Sequence, residues 1–300
     1  MNSLPTISTN ILVDPSLDEA FDAIAADYPE FKDSTIEVIN TSMDNSVFIV
    51  DNTYIFRFPK KDSEQFEKEF KVLLTLKGRT SSPIPNLQYI GKTCQYMRYK
   101  KLSGYPADAI HLKILPEDKK GIFSYDLSRF IYELHTAFSY QEISDFRLGK
   151  IALPTVDTST LSDIISKTSI DNDAQQSLID DVASLNPADA MDEKERVVHQ
   201  DLNDTNVLID TKEGHLAGIL DFGNIGIGSI YLEFISIFRF DPLLGKMTVD
   251  NFNNQFSISI STDIVRQYSI IFEILKIGQT DDESQIKKIE QKLVELAKAI

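Results

Sequence analysis

Residues 197–210 read "VVHQDLNDTNVLID" and place a histidine, two aspartates and two asparagines between two apolar runs. Apolar runs of this length, bounded by short polar residues, are typical of strands joined by a loop. Three interpretations are open for the loop: a polar hairpin turn, a metal-binding loop, or a loop that carries out chemistry. A second polar cluster, "DFGN" at 221–224, follows the strand-like run "LAGIL" at 216–220.

The spacing of the two clusters indicates that they meet. Asp201 and Asn206 are five residues apart, and Asp221 lies 15 residues beyond Asn206. The runs "VLID" and "LAGIL" are predicted to pair as a hairpin through the turn "TKEGH". Because a hairpin folds back on itself, we expect Asp201, Asn206 and Asp221 to converge on one cavity.

Two common metal sites do not fit this pattern. A helix-loop-helix calcium loop needs glycine at its sixth position and glutamate at its twelfth, and counting from Asp201 gives Asn206 and Lys212. A zinc site needs more ligands at suitable spacing than His199 has around it. The other three histidines, which lack such spacing, are His111, His135 and His215. A purely structural hairpin stays open, since aspartate and asparagine are common in turns.

Composition narrows the class of partner. The 300 residues include 30 basic and 46 acidic side chains, a net charge of -16, which disfavours nucleic acid and anionic membranes and favours a cationic ligand. The single cysteine, Cys94, excludes an intramolecular disulfide and favours a reducing, cytoplasmic setting. We find no signal-peptide pattern and no run of eighteen apolar residues, so we expect a soluble cytoplasmic protein.

The order of elements predicts an α+β fold in two parts. A helix from Asp18 is followed by the strands "STIEVIN", "SVFIV" and "TYIFRFP", the helix "SEQFEKEFKVLLTLKG", and the strands "NLQYIG" and "CQYMRYKKL". Beyond Gly104 the patterns are mostly helical. We therefore predict a small N-lobe (1–99) with a five-stranded antiparallel sheet and a helix, a hinge (100–103), and a larger, mostly helical C-lobe (104–300).

Histidine-x-aspartate-x4-asparagine, followed by "DFG", resembles the catalytic and metal-binding segments of the bilobal protein-kinase-like fold. The chain more closely resembles the aminoglycoside phosphotransferase family. The resemblance implies that Asp201 is the base or orienting group for a substrate hydroxyl, and that Asn206 and Asp221 hold Mg²⁺. Asp221 would also link the ion to the nucleotide phosphates, and His199 would brace the loop. Hard oxygen ligands and a carboxylate near the attacking oxygen are what phosphoryl transfer needs.

The same resemblance assigns nucleotide-binding residues in the N-terminal part. Arg57 in "TYIFRFPKK" stands where kinases carry a phosphate-binding lysine, and Glu69 matches the helix glutamate that pairs with this cation. The segment "NTSMDNSVF" at 40–48 has no glycine, which argues against a protein kinase. Phosphate contacts would then come from Ser42, Asn45 and Ser46.

Other segments point to the 2''-phosphotransferase branch. The order and distances of "FRFPK", the glutamate helix and "PIP" at 83–85 are similar to that branch. Backbone groups of the segment at 99–102 would contact the purine of ATP or GTP, and the choice between the two stays open. These residues are Tyr99, Lys100, Lys101 and Leu102. After "DFG" the chain departs from the family, with Ser229 and Ile230 in place of an aspartate-proline step.

The implied activity is Mg²⁺-dependent transfer of the γ-phosphoryl group of ATP or GTP to an aminoglycoside hydroxyl. The implied biological role is antibiotic resistance, and we expect the protein to be a monomer. Aminoglycosides are polycations, so carboxylates from the C-terminal part should bind them; Glu233 and Asp241 are the candidates beside Asp201. Two alternatives stay open. One is a kinase of another small alcohol, such as choline, homoserine, a thiosugar or a macrolide. The other is a nucleotide-binding homologue without catalysis.

Overall fold

The computed structural model describes residues 11–39, 45–60, 64–155, 157–190 and 196–299. Its N-terminal part is an antiparallel sheet with helices against it. The strands follow the order β1-β2-β3-β5-β4, as predicted for a five-stranded sheet. The elements are α1 (Leu17–Asp27), β1 (Ile36–Ile39), β2 (Asn45–Val50), β3 (Tyr54–Pro59), α2 (Glu64–Leu76), β4 (Tyr89–Ile90) and β5 (Met97–Lys100).

The alternation of side chains along β3 divides the N-terminal core in two. Phe56 and Phe58 pack in a cluster with α1, whereas Ile55, on the opposite face of the strand, joins the main core. Arg57 lies on the same face as Ile55, and it is only 5% exposed. The face that carries Arg57 is therefore turned toward α2 and the rest of the molecule.

The remainder is mostly helical, with two small sheets ordered β10-β9-β6 and β7-β11-β8. Its first elements are β6 (Tyr105–Pro106), α3 (Ala109–Ile114), α4 (Glu117–Thr136), α5 (Tyr140–Asp145), β7 (Lys150–Ile151), α6 (Thr158–Ile165) and α7 (Asn172–Ala183). The later ones are β8 (Arg196–Val198), β9 (Val207–Ile209), β10 (Leu216–Ile219), β11 (Gly226–Gly228), α8 (Tyr231–Phe240), α9 (Pro242–Phe256), α10 (Thr262–Ile277) and α11 (Glu283–Lys298). The predicted α+β class is confirmed.

Strand partners change across the predicted hinge. β5 ends at Lys100 in the first sheet, and β6 begins at Tyr105 and pairs with β9 in another sheet. Gly104 stands at this change with a φ of 101°, and a Cβ there would lie 2.5 Å from the Cβ of Ala217, so the position requires glycine. The lobe boundaries at 99 and 103 stay a prediction that this topology supports. None of the helices in the described ranges is long and apolar enough to cross a membrane.

Candidate active site

The predicted hairpin of β9 and β10 is confirmed, and it brings the two polar loops together. The backbone N–H of Leu220 donates to the carbonyl of Asn206 at 2.8 Å, which joins the end of one loop to the start of the other. We refer to residues 199–206 as the first loop and to residues 221–224 as the second loop.

His199 ties the two loops together from within the core. Its ring Nδ1 lies 3.3 Å from the amide N of Asp201, and its Nε2 lies 3.1 Å from the carbonyl O of Leu220. The ring therefore accepts from Asp201 and donates to Leu220, with its proton on Nε2. Burial lowers the pKa of His199 below its ordinary value and keeps the ring neutral, although neighbouring carboxylates oppose this effect. These contacts support the bracing role that the sequence predicts.

Glu233 holds the first loop from α8, and this corrects a sequence prediction. Its carboxylate is fully buried and accepts the backbone N–H groups of His199 at 2.5 Å and Gln200 at 3.2 Å. Gln200 has a φ of 71°, in the left-handed region that side chains disfavour, and the Ser236 hydroxyl also donates to its carbonyl at 2.9 Å. Glu233 is not available to a substrate, because its oxygens satisfy buried amides.

Asp201 lies in the first loop with both carboxylate oxygens oriented by amides. The side-chain N–H₂ of Asn203 donates to Oδ1 at 2.6 Å, and that of Asn206 donates to Oδ2 at 3.0 Å. Asn203 in turn accepts the backbone N–H groups of Thr205 and Asn206, which fixes the turn. Because Asn206 directs its nitrogen at Asp201, its amide oxygen is left for a cation.

The second loop presents Asp221. This residue has a φ of 60°, and its side chain is 41% exposed, so the carboxylate faces open space. The N–H of Gly223 donates to Asp221 Oδ1 at 3.4 Å. Asp221 thus directly follows Leu220, which contacts Asn206; that Asp201, Asn206 and Asp221 open onto one cavity stays a prediction.

Arg57 and Glu69 form a buried ion pair beside the second loop. Arg57 Nη1 lies 2.5 Å from Glu69 Oε1, and Arg57 Nη2 lies 3.6 Å from Asp221 Oδ1. Glu69 also accepts the N–H of Phe222 at 3.3 Å, so α2 is fixed to the second loop. Burial alone would lower the pKa of Arg57, but Glu69, Tyr99 and Asp221 raise it above its ordinary value. Arg57 is therefore a permanent cation next to Asp221.

In the segment predicted to contact the purine, residues 99–102, some groups already have partners in the protein. The Tyr99 side chain is 5% exposed and hydrogen-bonds Arg57, and burial raises its pKa to about 12. The Lys101 N–H already donates to the Thr53 carbonyl at 2.8 Å, so that donor is not available to a purine. Purine contacts would then fall to the other backbone groups of residues 99–102, including those of Lys100 and Leu102.

Of the three residues predicted to contact phosphate, two lie in the described ranges. The hydroxyl of Ser46 donates to Asp14 at 2.6 Å, and Ser46 is 6% exposed. Asn45 is also buried, at the start of β2. Ser42 lies outside the described residues. The prediction that the hydroxyl of Ser46 binds phosphate is therefore not supported, because that hydroxyl has a protein partner.

A cavity of about 450 Å³ opens beside Asp201, between the first loop, α8 and α10. Its charged residues are Asp201, Asp204, Arg239, Glu273 and Lys276. Asp241 is not among the residues that line it. Instead, its carboxylate caps α9 by accepting the N–H of Leu244 at 2.8 Å, so the predicted substrate contact is not supported. The sequence reasoning missed Arg239, Glu273 and Lys276, because no local motif links α8 to a helix 34 residues later.

The residues present fit a divalent cation that is shared with phosphates. Within the described ranges, His, Cys, Asp and Glu side chains do not form a group of three or more suited to a metal ion. Mg²⁺, however, is commonly held by one or two carboxylates together with substrate phosphates and water. The exposed carboxylate of Asp221 and the amide oxygen of Asn206 are hard donors of this kind.

Comparison with known proteins gives the family. Residues 35–263 match the model of the phosphotransferase enzyme family. Among solved structures, the chain is similar to the GDP complex of aminoglycoside 2'-phosphotransferase-IIIa, with a TM-score of 0.72 and 19% identity over 95% of this chain and 99% of that one. The chain is also similar to the ternary complex of streptomycin and ATP with APH(2")-IIa, with a TM-score of 0.63 and 17% identity over 95% of this chain and 97% of that one.

A macrolide 2'-phosphotransferase type I is also similar, with a TM-score of 0.60 and 14% identity over 95% of this chain and 98% of that one. At such identities the structural likeness shows the shared fold alone. That fold is the kinase-like fold that the sequence predicts, and the matches include the 2'' branch. With the family model spanning 35–263, the chain belongs to the phosphotransferase enzyme family.

Proposed function

We propose that the chain transfers the γ-phosphoryl group of ATP or GTP to a hydroxyl of a small molecule bound beside Asp201. One observation carries this proposal: the Asp201 carboxylate is oriented at both oxygens and lines an open cavity of about 450 Å³. Cavities of this size commonly bind small molecules. The intact set of Asp201, Asn206, Asp221 and Arg57 argues against a homologue without catalysis.

The proposed reaction needs little covalent help from the protein. The acceptor oxygen forms a bond to the γ-phosphorus as the bond from that phosphorus to the β-γ bridging oxygen breaks. The nucleoside diphosphate leaves with that oxygen, and the hydroxyl proton passes to Asp201. Asp201 is therefore the group that orients the hydroxyl and receives its proton, while its two amide neighbours hold it in place.

Arg57 is proposed to bind phosphate oxygens. Its pairing with Glu69 fixes the guanidinium beside Asp221, and a guanidinium can offer two parallel N–H donors to a phosphate. Asn206 and Asp221 would hold Mg²⁺, which supplies positive charge to the triphosphate when bound. Tyr99, buried against Arg57, limits the space at the inner end of the purine segment and bears on the choice between ATP and GTP.

Two acceptor classes are candidates. The family resemblance suggests an aminoglycoside, and the similar structures include complexes with streptomycin and kanamycin. The cavity beside Asp201 favours the second class, a smaller alcohol that is not a polycation. Arg239 and Lys276 lie in its wall, and they contact the one buried carboxylate there, Glu273. Antibiotic resistance, a monomeric state and a cytoplasmic location stay predictions.

The test is a coupled assay with purified protein, Mg²⁺, ATP or GTP, and a panel of aminoglycosides and small alcohols. Release of nucleoside diphosphate and the mass of the phosphorylated product are followed together. We expect acceptor-dependent turnover with at least one hydroxyl compound. Failure to bind either nucleotide in the presence of Mg²⁺ would reject the proposed function.

A further inference from the structure

The cavity beside Asp201 has opposite charges on its two sides. Asp201 and Asp204 belong to the first loop, whereas Arg239 on α8 and Lys276 on α10 lie in the wall that those helices form. Asp201 is the group assigned to the acceptor hydroxyl. The helical wall therefore faces the part of the acceptor that does not react.

The helical wall carries a net positive charge. Arg239 Nε lies 2.7 Å from Glu273 Oε1, and Lys276 Nζ lies 3.2 Å from the same oxygen. Two cations thus share one carboxylate, and the three residues sum to +1. The Glu273 side chain is 6% exposed, against 20% for Arg239 and 49% for Lys276. Because both cations are more exposed than the carboxylate they share, a ligand in the cavity meets positive charge there.

Arg239 is held in a position to bind a second anion. Its guanidinium carbon lies 5.2 Å from the ring centre of Phe272, and its hydrogen bond to Glu273 uses Nε. A guanidinium has five N–H donors, so one bond leaves others for a second oxyanion. Lys276 adds three rotatable donors from the neighbouring helix.

A polycationic acceptor is poorly matched to this wall. Its ammonium groups would lie against Arg239 and Lys276, and like charges brought together in a cleft repel. Among the described lining residues, Asp204 is the remaining carboxylate once Asp201 and Glu273 are assigned. One carboxylate does not balance the several charges of an aminoglycoside.

We propose that the acceptor is a hydroxy compound that also carries an anionic group, a carboxylate or a phosphate, which binds between Arg239 and Lys276. This inference rests on the proposed function, since it places the reacting hydroxyl at Asp201. The first loop would then orient the hydroxyl while the helical wall selects the acceptor by its charge.

The experiment compares matched acceptors with the wild-type protein, Mg²⁺ and either nucleotide. The pairs are glycerate with glycerol, 4-hydroxybutyrate with 1,4-butanediol, and gluconate with glucitol. Glycerol 3-phosphate tests the phosphate form of the anion, and kanamycin tests a polycation. We expect kcat/KM for at least one acid to exceed that of its neutral partner by about tenfold or more, the scale of a charge-assisted contact.

Variants of the helical wall give a second measurement. Lys276→Met and Arg239→Gln should each raise the KM for the preferred acid by about tenfold, and Lys276→Glu should raise it further by adding repulsion. Lys276 is half-exposed, so its variants should fold even if the loss of Arg239 weakens the core. Lys246→Met is the matched control: Lys246 pairs with Asp250 on α9 and does not line the cavity, so it should leave the KM unchanged.

The outcomes separate the inference from the proposed function. Preferential turnover of kanamycin or of neutral alcohols would reject the anionic acceptor and leave hydroxyl phosphorylation established. Binding of nucleotide without phosphorylation of any acid, or an unchanged KM for the acid in Lys276→Glu, would also reject it. A wild-type protein that binds neither nucleotide would instead overturn the proposed function itself.

Discussion

The phosphate side of the candidate site and its acceptor side are built differently. On the phosphate side, Arg57 and Glu69 form a pair whose side chains are 6% and 2% exposed, locked to the second loop. On the acceptor side, Arg239 and Lys276 share Glu273 at a cavity wall, with side-chain exposures of 20% and 49%.

This difference in burial corresponds to two functions, the binding of phosphate and the selection of the acceptor. The triphosphate group is the same in ATP and in GTP, so the cation that binds it can be fixed in the core at the cost of desolvation. The acceptor wall is partly solvated, so its charges can change without unfolding the chain. Specificity should therefore depend on α8 and α10, and catalysis on the two loops.

The largest effect on activity is expected at Asp201. Asp201→Asn keeps the shape of the side chain but removes its capacity to take a proton, so we expect kcat to fall by about 10²- to 10⁴-fold. The nucleotide dissociation constant should change little, because Asp201 is assigned to the hydroxyl and not to the phosphates. Steady-state kinetics and calorimetric nucleotide titration measure the two quantities. A variant that keeps most of its kcat would remove the assigned role, and Asp173→Asn on α7 serves as the control.

The free energy of unfolding should fall most when one partner of the buried Arg57–Glu69 pair is removed. Arg57→Met leaves Glu69 as a buried carboxylate without its cation, which costs about 3–5 kcal/mol in the free energy of unfolding. Lys276→Met on the acceptor side should cost less than about 1 kcal/mol, because that pair is half-solvated. Urea unfolding of the two variants compares the sides directly. Equal losses would contradict the distinction between a buried and a solvated pair.

Glu233→Gln tests whether this residue positions the first loop or binds the acceptor. We expect kcat to fall by about ten- to a hundredfold with the KM of the acceptor nearly unchanged, since hydrogen bonds to a charged group are worth about 1.5–3 kcal/mol. A substrate contact would instead raise the KM. The ratio of the two changes in steady-state kinetics decides between these roles.

His199 predicts a pH dependence of stability. Burial lowers its pKa in the folded state, so the unfolded chain binds a proton more readily than the folded one. The stability from neutral His199 is therefore complete above the unfolded pKa of about 6.5 and is lost as the pH falls toward the folded value, at up to about 1.4 kcal/mol per pH unit. Urea unfolding at pH 8 and pH 5 should show a smaller difference for His199→Asn than for the wild type. An identical difference would mean that His199 binds a proton as readily in the folded protein as in the unfolded chain.

The sequence predicted the two loops better than the helical wall of the cavity, for a physical reason. The meeting of the loops that carry Asp201, Asn206 and Asp221 follows from a hairpin of known length, because a hairpin is a local pattern, whereas the role of Arg57 is implied by the family resemblance. Residues on α8 and α10 meet only through tertiary packing, so the spacing of Arg239 and Glu273 carries no signal. The sequence predicts Glu233 as a contact of the acceptor. Its burial against the backbone of the first loop could not be inferred from its position in a helix.

The smallest effect is expected for substitution of Asp241. It tests whether this carboxylate, which the sequence predicts to bind the acceptor, serves only to cap α9. Its side chain accepts the N–H of Leu244 at the start of α9, so Asp241→Ala should cost about 1 kcal/mol of stability. Ser261→Ala, which removes the comparable cap of α10, should cost a similar amount. Neither variant should change the KM of the acceptor, because neither residue lines the cavity beside Asp201. A selective rise in KM for Asp241→Ala would return this carboxylate to the acceptor side, whereas equal losses of stability for both variants would assign it to the scaffold.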